Sequence, residues 1–293
     1  MKALFYTTKT TDAANHVYAW NSISAVPAVH IAYNHRGINN DWQMLDAARE
    51  GVDVIFYIGA HRAPGNPHPQ TFIEARKLAP IINFCCDATD PPWHPVLLKY
   101  KEMGCFDLQV AIDGGRDAPV DLSVLTPVNT TAFHRVEKDI RCGFSGSVKR
   151  FHDRFEVIEA IGDMVTIRNR LPLDGPYQEH ADFLSRCRMT LNESTTGSGK
   201  THHIKGRVLE SGWAGCALLE SIGSPILDWF HPGSVFLYRT AEEAVDIIRS
   251  LTDAEIDTAA KHLADQVRAK YTPEMIYGKI LSYVHLTLEK PAA

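Results

Sequence analysis

LNESTTGSGKTHHIKGRVLESGWAGCALLES, residues 191–221, decides the fold. An apolar run over Met189–Leu191 reads as a strand and leads into a Gly/Ser-rich loop. His203–Trp213 then has helical spacing, and Ala217–Leu219 is a second short apolar run. Strand, loop, helix and strand in that order form a βαβ unit, and the crossover makes its two strands parallel.

Outward from this unit the same alternation continues. Upstream, RCGF (141–144) and Met164–Ile167 read as strands, separated by helices at Phe151–Ile161 and Gln178–Ser185. Downstream, a strand at Val235–Tyr238 precedes helices at Ala241–Leu251, Asp253–Lys270 and Pro273–Leu288. The first half repeats the theme. Ala3–Tyr6, Val52–Ile58, Ile81–Cys86 and Leu108–Ile112 are strands, with Val124–Leu125 a short further one. Asp41–Glu50, Thr71–Leu78 and Pro95–Met103 are helices. The strands are nearly continuous apolar runs, as expected of strands covered on both faces. The expected class is therefore α/β: two doubly wound, Rossmann-like domains facing each other across a cleft. Their bounds fall at 1–139 and 140–272, with a tail helix at 273–293.

Composition narrows the function classes. The 293 residues carry 30 Lys and Arg against 35 Asp and Glu, a net charge of −5 with no dense basic block. That argues against a nucleic-acid or anionic-lipid partner and for small or neutral ones. The six cysteines form no C-x-x-C pair and read as buried free thiols. No apolar run is long enough to span a bilayer, and the apolar run near Met1 is too short for a secretory signal. The cytoplasm is the expected compartment.

In an open α/β sheet, ligands sit at the carboxyl ends of the strands, so those loops carry the chemistry. In the first domain they hold Thr7 and Thr8, the stretch Gly59-Ala60-His61-Arg62, Asp87, and Asp113-Gly114-Gly115-Arg116. Asp87 and Asp113 either touch a ligand or cap and turn the chain. In the second domain, GFSGSVKR (143–150) follows a strand and precedes a helix. Backbone N–H groups with Lys149 and Arg150 suit a phosphate there; the alternative is a tight turn with solvated cations. Spacing rules out G-x-G-x-x-G.

In the opening stretch, the first turns of the expected helix hold His203, Lys205 and Arg207. Arg207 and Glu210 share a face at i, i+3. They form either a grip on phosphate and ribose or a simple helical ion pair. GSGKT is not a P-loop, because Ser194 stands where that motif needs glycine. D-x-D and G-x-S-x-G are absent, and His202 and His203 would point to different sides of a helix. No metal site is therefore expected.

Several ordered motifs carry a family resemblance: YQEHADFLSRCRMTLNES (177–194), HHIKGRVLESGWAGCALLES (202–221), FHPG (230–233), VFLYRTAEEAVDIIRSL (235–251) and YTPEMIYGKIL (271–281). Together they resemble the C-terminal domain of bacterial glycosyltransferases of the spore-maturation-protein (CgeB-like) type. The resemblance implies a GT-B fold. The second domain would hold a nucleotide-sugar donor, the first the acceptor, and the C-terminal helix would cross back onto the first. It implies a hexosyltransferase-type enzyme without metal or other cofactor, since helix dipoles and cations stabilise the leaving diphosphate. By the same resemblance the donor would be a UDP-, GDP- or TDP-sugar, and transfer would retain the anomeric configuration.

Carried over by position, Ser145 and Gly146 approach the donor phosphates, with Lys149, Arg150, Lys205 and Arg207 as cations. Glu210 matches the second carboxylate of the E-x7-E signature, which binds the ribose. Eight residues before it stands His202, where that signature has its first Glu. Gly199 and His203 belong to the same donor-side loop. A base or positioning group on the acceptor side would be Asp87 or His61. Two other functions fit such a donor site, a nucleotide-sugar epimerase and a non-catalytic nucleotide-sugar binder.

Overall fold

The computed structural model describes residues 1–37, 41–60, 63–146, 148, 153–169 and 177–288. By contact the chain divides into one unit of residues 1–129 with 273–293 and another of 130–272. Residues 130–139 thus group with the second unit.

The first unit runs β1 (Ala3–Thr8), α1 (Thr11–Asn21), β2 (Val29–Tyr33), α2 (Asp41–Arg49), β3 (Val54–Ile58), α3 (Pro69–Arg76), β4 (Ile81–Cys85), α4 (His94–Glu102), β5 (Leu108–Ala111) and β6 (Leu122–Ser123). The strands form one sheet in the order β2-β1-β3-β4-β5-β6, every pair parallel. Strand alternation sorts its side chains. Leu4, Tyr6, Ile55 and Tyr57 pack with Met44 of α2 and Phe72 of α3. On the next residues along, Phe5 stacks on Phe56 at 4.7 Å, and Phe56 meets Phe84 at 5.3 Å. Trp20 of α1 and Tyr277 close over that aromatic face, their rings 5.2 Å apart and nearly perpendicular.

Helix α1 and strand β2 are absent from the sequence expectation. Thr10 caps α1, its hydroxyl accepting from Ala13 N at 3.2 Å. The helix buries Asn15 and His16 beside Ala13, Val17, Ala19 and Trp20, so polar residues interrupt the apolar stripe that would have announced it.

The second unit runs β7 (Ile140–Gly146), α5 (Asp153–Ile161), β8 (Thr166–Asn169), α6 (Tyr177–Arg186), β9 (Cys187–Asn192), α7 (Arg207–Ala214), β10 (Ala217–Ser221), β11 (Val235–Tyr238), α8 (Ala241–Ser250) and α9 (Asp253–Lys270). Its sheet, again parallel throughout, has the order β11-β10-β9-β7-β8. Cys142, Phe144, Met189, Leu191, Ala217 and Leu219 pack from the strands against Ala244 and Ile248 of α8 and Ile256 of α9. Lys138 ties two helix ends together. Its ammonium donates to Ser185 O, Cys187 O and Ala214 O at 3.2, 2.7 and 3.0 Å, so one cation serves the carboxyl ends of α6 and α7.

The last helix, α10 (Pro273–Ser282), belongs to the first unit and is shorter than the expected Pro273–Leu288. Tyr277 lies on it and donates through its hydroxyl to His16 O at 2.9 Å. Among the described residues no helix is long and apolar enough to cross a membrane.

Both sheets place their first strand between their second and third, β1 between β2 and β3, and β7 between β8 and β9. The connections that leave the first and third strands therefore run to opposite sides, opening a crevice between their carboxyl ends. In doubly wound sheets that crevice is where ligands bind.

Candidate active site

In the second unit the crevice lies between Ser145-Gly146, which end β7, and Asn192, which ends β9. Arg207, the first residue of α7, spans it. Its guanidinium donates through Nη1 to Asn192 Oδ1 at 3.0 Å and through Nη2 to Ser145 O. It also lies over the Phe144 ring, 5.1 Å from the centroid. Gly146 leaves room for this approach, because a Cβ there would stand 3.1 Å from Arg207 Nη2 and 3.1 Å from the Phe144 ring, closer than packed side chains ordinarily sit. Arg154 of α5 lies 5.7 Å from the same ring centroid and pairs with Glu193 at 3.6 Å.

One turn further along α7, Glu210 is buried. Tyr177 donates to its Oε1 at 2.8 Å, and His180 Nε2 is 2.9 Å from Oε2. The other ring nitrogen of His180 is 2.8 Å from Ser145 Oγ. Burial alone would raise the Glu210 carboxyl, but His180, Arg207 and Tyr177 outweigh it and hold it at about 2. Glu210 is an ionised acceptor at neutral pH.

A second buried carboxyl stands on the strand next to β9. Glu220 on β10 accepts from Asn192 Nδ2 at 2.5 Å and from Ser221 Oγ at 3.4 Å. Burial pushes it up to about 7, against the hydrogen bonds of Asn192 and Ser194 and the charge of Lys205. Asn192 is thus the hub between Arg207 and Glu220, and its carbonyl accepts from Tyr238 OH at 3.0 Å.

The structure brings Ser145, Gly146, Arg207 and Glu210 together. It corrects the setting of their neighbours. The expected helix from His203 starts only at Arg207, after Gly206, so His203 and Lys205 lie on the loop before it. Non-local bonds hold that loop out of the helix. His203 N donates to Ser194 O at 3.1 Å, and Lys205 Nζ to Thr195 O at 2.8 Å. His202 pairs with Thr195 in an isolated bridge, and its ring crowds Gly223, where a Cβ would come within 2.6 Å. Gly199 turns the exposed tip of the loop with φ +73°. Ser145 and Gly146 are strand residues rather than turn residues. The expectations placed on His61, Lys149 and Arg150 lie outside the described residues.

In the first unit, Asp87 follows β4 with φ +50°, a left-handed conformation that Asp tolerates, and its carbonyl accepts from Asp90 N at 3.0 Å. Asp113 is buried and accepts from Ala88 N at 2.7 Å and Gly115 N at 3.2 Å, which fixes two strand-end loops to each other. Among the described residues, no group of three or more His, Cys, Asp or Glu could hold a metal ion.

Sequence reasoning singled out none of Tyr177, His180, Asn192, Arg154 or Glu220. The first two carried a signal, since i and i+3 share one face of a helix. Their partner Glu210 is 33 and 30 residues away, beyond any local pattern.

Two parallel, doubly wound units are the architecture of the GT-B fold, and the second carries Arg207 and Glu210 at its switch point. The sequence matches the glycosyl transferase-like family over residues 134–282, half of the chain, and the chain belongs to that family. No curated protein matches it. Among solved structures it is similar to Anabaena HepE in complex with UDP-glucose, with a TM-score of 0.67 and 12% identity over 97% of this chain and 99% of that one. A glycosyltransferase from Rickettsia africae superposes with a TM-score of 0.60 at 10% identity, over 96% and 97% of the two chains. An alpha-glucosyltransferase in complex with UDP-glucose and DNA containing an abasic site gives 0.61 at 8% identity, over 98% and 100%.

Proposed function

We propose that this chain transfers a hexose from a nucleoside-diphosphate sugar to an acceptor, in the cytoplasm, and that within its family it belongs with the spore-maturation-type (CgeB-like) enzymes. The observation that carries the reading is Arg207 spanning the ends of β7 and β9, with the ionised Glu210 one turn behind it. A guanidinium in that crevice meets the negative charge that develops on a departing diphosphate. A carboxylate beside it accepts from the ribose hydroxyls. Lys205 adds positive charge on the loop that follows β9, so the leaving group is neutralised by side chains and needs no resident metal. Transfer proceeds with retention, by departure and attack on one face of the sugar, a path that asks for no strong protein base. Asp87 stands on the acceptor side as the positioning group.

Calorimetric titration of UDP, GDP and TDP and their sugars tests the reading. At least one is expected to bind, and Glu210→Ala to weaken it. Failure of every nucleotide to bind the parent protein would end the donor-site assignment. Activity that survives EDTA is expected; its loss would contradict the metal-free step.

A further inference from the structure

His180 is 3% exposed, yet both of its ring nitrogens are engaged. An ionised carboxylate can only accept, so the proton on the Glu210 side belongs to His180 Nε2. Nδ1 is left to face the Ser145 hydroxyl. Tyr177, one turn earlier on α6, donates to the other oxygen of the same carboxylate. Each oxygen of Glu210 thus receives one hydrogen bond from α6, and each keeps a second lone pair. Two parallel acceptors held in a fixed plane suit a cis-diol, which presents two hydroxyl donors side by side. A long glutamate side chain without this clamp would lose that plane to rotamer freedom.

We propose that His180, with Tyr177, is a positioning residue: its Nε2–H fixes the Glu210 carboxylate in the orientation that distinguishes a ribose from a deoxyribose in the donor nucleotide. This rests on the reading of Glu210 as the ribose acceptor given above. A site built to accept from a hydroxyl rejects the analogue that lacks it, because its acceptor is then left unpaired. Selectivity for the ribonucleotide therefore passes through α6 as well as α7.

The test uses the full chain and whichever of UDP and GDP it binds more tightly, titrated against the 2′-deoxy and 3′-deoxy forms of that nucleotide. Glutamine places its amide nitrogen near the position of Nε2, and asparagine near that of Nδ1. The parent is expected to favour the ribonucleotide by roughly tenfold or more, the scale of one charge-assisted hydrogen bond. Glu210→Ala and His180→Asn should abolish that preference, whereas His180→Gln should keep most of it. A merely structural histidine would not separate glutamine from asparagine. If the two variants behave alike, or asparagine alone keeps the preference, the proposal is overturned while the Glu210 result stands. If the parent binds neither nucleotide or shows no preference, or Glu210→Ala retains it, the ribose reading itself fails and takes the proposal with it. Should the His180 variants not fold, Tyr177→Phe removes one hydroxyl only and must lower the preference severalfold; an unchanged preference there overturns the clamp.

Discussion

Phe5, Phe56, Phe84, Trp20 and Tyr277 fill one face of the first sheet with rings, whereas the switch point of the second sheet is filled by Ser145, His180, Asn192, Arg207 and Glu210. The strand order around the first strand is the same in both units. One architecture therefore carries two kinds of interior. In the first unit, burial of aromatic area supplies stability and the strand-end carboxylate of Asp113 is held by loop backbone at Ala88 and Gly115. In the second, buried charged groups are kept in hydrogen-bonded register, an arrangement that contributes little net stability and is costly to break at one partner. On the proposed reading, stability and recognition are divided between the sheets, and the division can be attacked from either side.

The largest expected effect lies in the first unit. Phe56→Ala removes a fully buried ring that touches Phe5, Trp20, Phe84 and Tyr277. A loss of about 3–5 kcal/mol in urea unfolding is expected, with nucleotide affinity of the still-folded protein unchanged. A parallel loss of affinity would show that the first sheet's packing also serves recognition.

Next is a change of sign between two carboxyls of the second unit. Glu220 has its carboxyl raised from 4.5 to about 7, so its contribution to stability is full below 4.5 and is lost as pH rises through 7. Glu210 is lowered from 4.5 to about 2, so its contribution is present above 4.5 and is lost as pH falls through 2. Glu220→Gln stays neutral throughout. It is expected to exceed the parent in stability by up to ~3 kcal/mol at about pH 8 and to match it at about pH 4 in denaturant titrations. Equal stability at the higher pH would mean that Glu220 is ionised at little cost, and the contrast between the two carboxyls would disappear.

Arg207→Met keeps much of the volume and removes the cation that joins Ser145 O and Asn192 Oδ1. Loss of charge-assisted bonds to a diphosphate of about 2 kcal/mol corresponds to a roughly thirtyfold weaker nucleotide diphosphate. The nucleoside alone, lacking phosphate, should bind the variant and the parent alike. A nucleoside weakened as much as the diphosphate would move Arg207 out of the phosphate role.

These contrasts also explain what could be read in advance. The strands β3 and β4 were plain in VIFYI (54–58) and IINFC (81–85), because runs buried on both faces are nearly continuously apolar, whereas in CRMTLN (187–192) only the stretch Met189–Leu191 reads as the strand β9. Strand β2 escaped notice because VHIAY at the sheet edge alternates half-buried Val29 and Ile31 with exposed His30 and Ala32. Arg207 and Glu210 were legible as a pair on one helix face, and the loop residues His203 and Lys205 were wrongly added to that helix. Nothing within a helical window reveals that Lys205 reaches back to Thr195 or His203 to Ser194. The clamp on Glu210 was invisible for the same reason. Its geometry is created by bringing α6 against α7, and buried polar networks owe their register to the fold rather than to local spacing.

The smallest effect returns to the first unit and asks how far its stability rests on rings alone. Tyr277 of α10 is buried, and its hydroxyl donates to the carbonyl of His16 on α1. Tyr277→Phe leaves the aromatic contacts with Phe5, Trp20 and Phe56 in place and removes only that bond. A net hydrogen bond of this kind is worth about 1 kcal/mol, and the expected loss in urea unfolding is of that size, with nucleotide affinity untouched. A loss as large as that of Phe56→Ala would mean that α10 is held to the first unit by its polar link more than by its ring. The first interior would then depend on a buried hydrogen bond as the second does, and the contrast between them would narrow to the charges at the switch point.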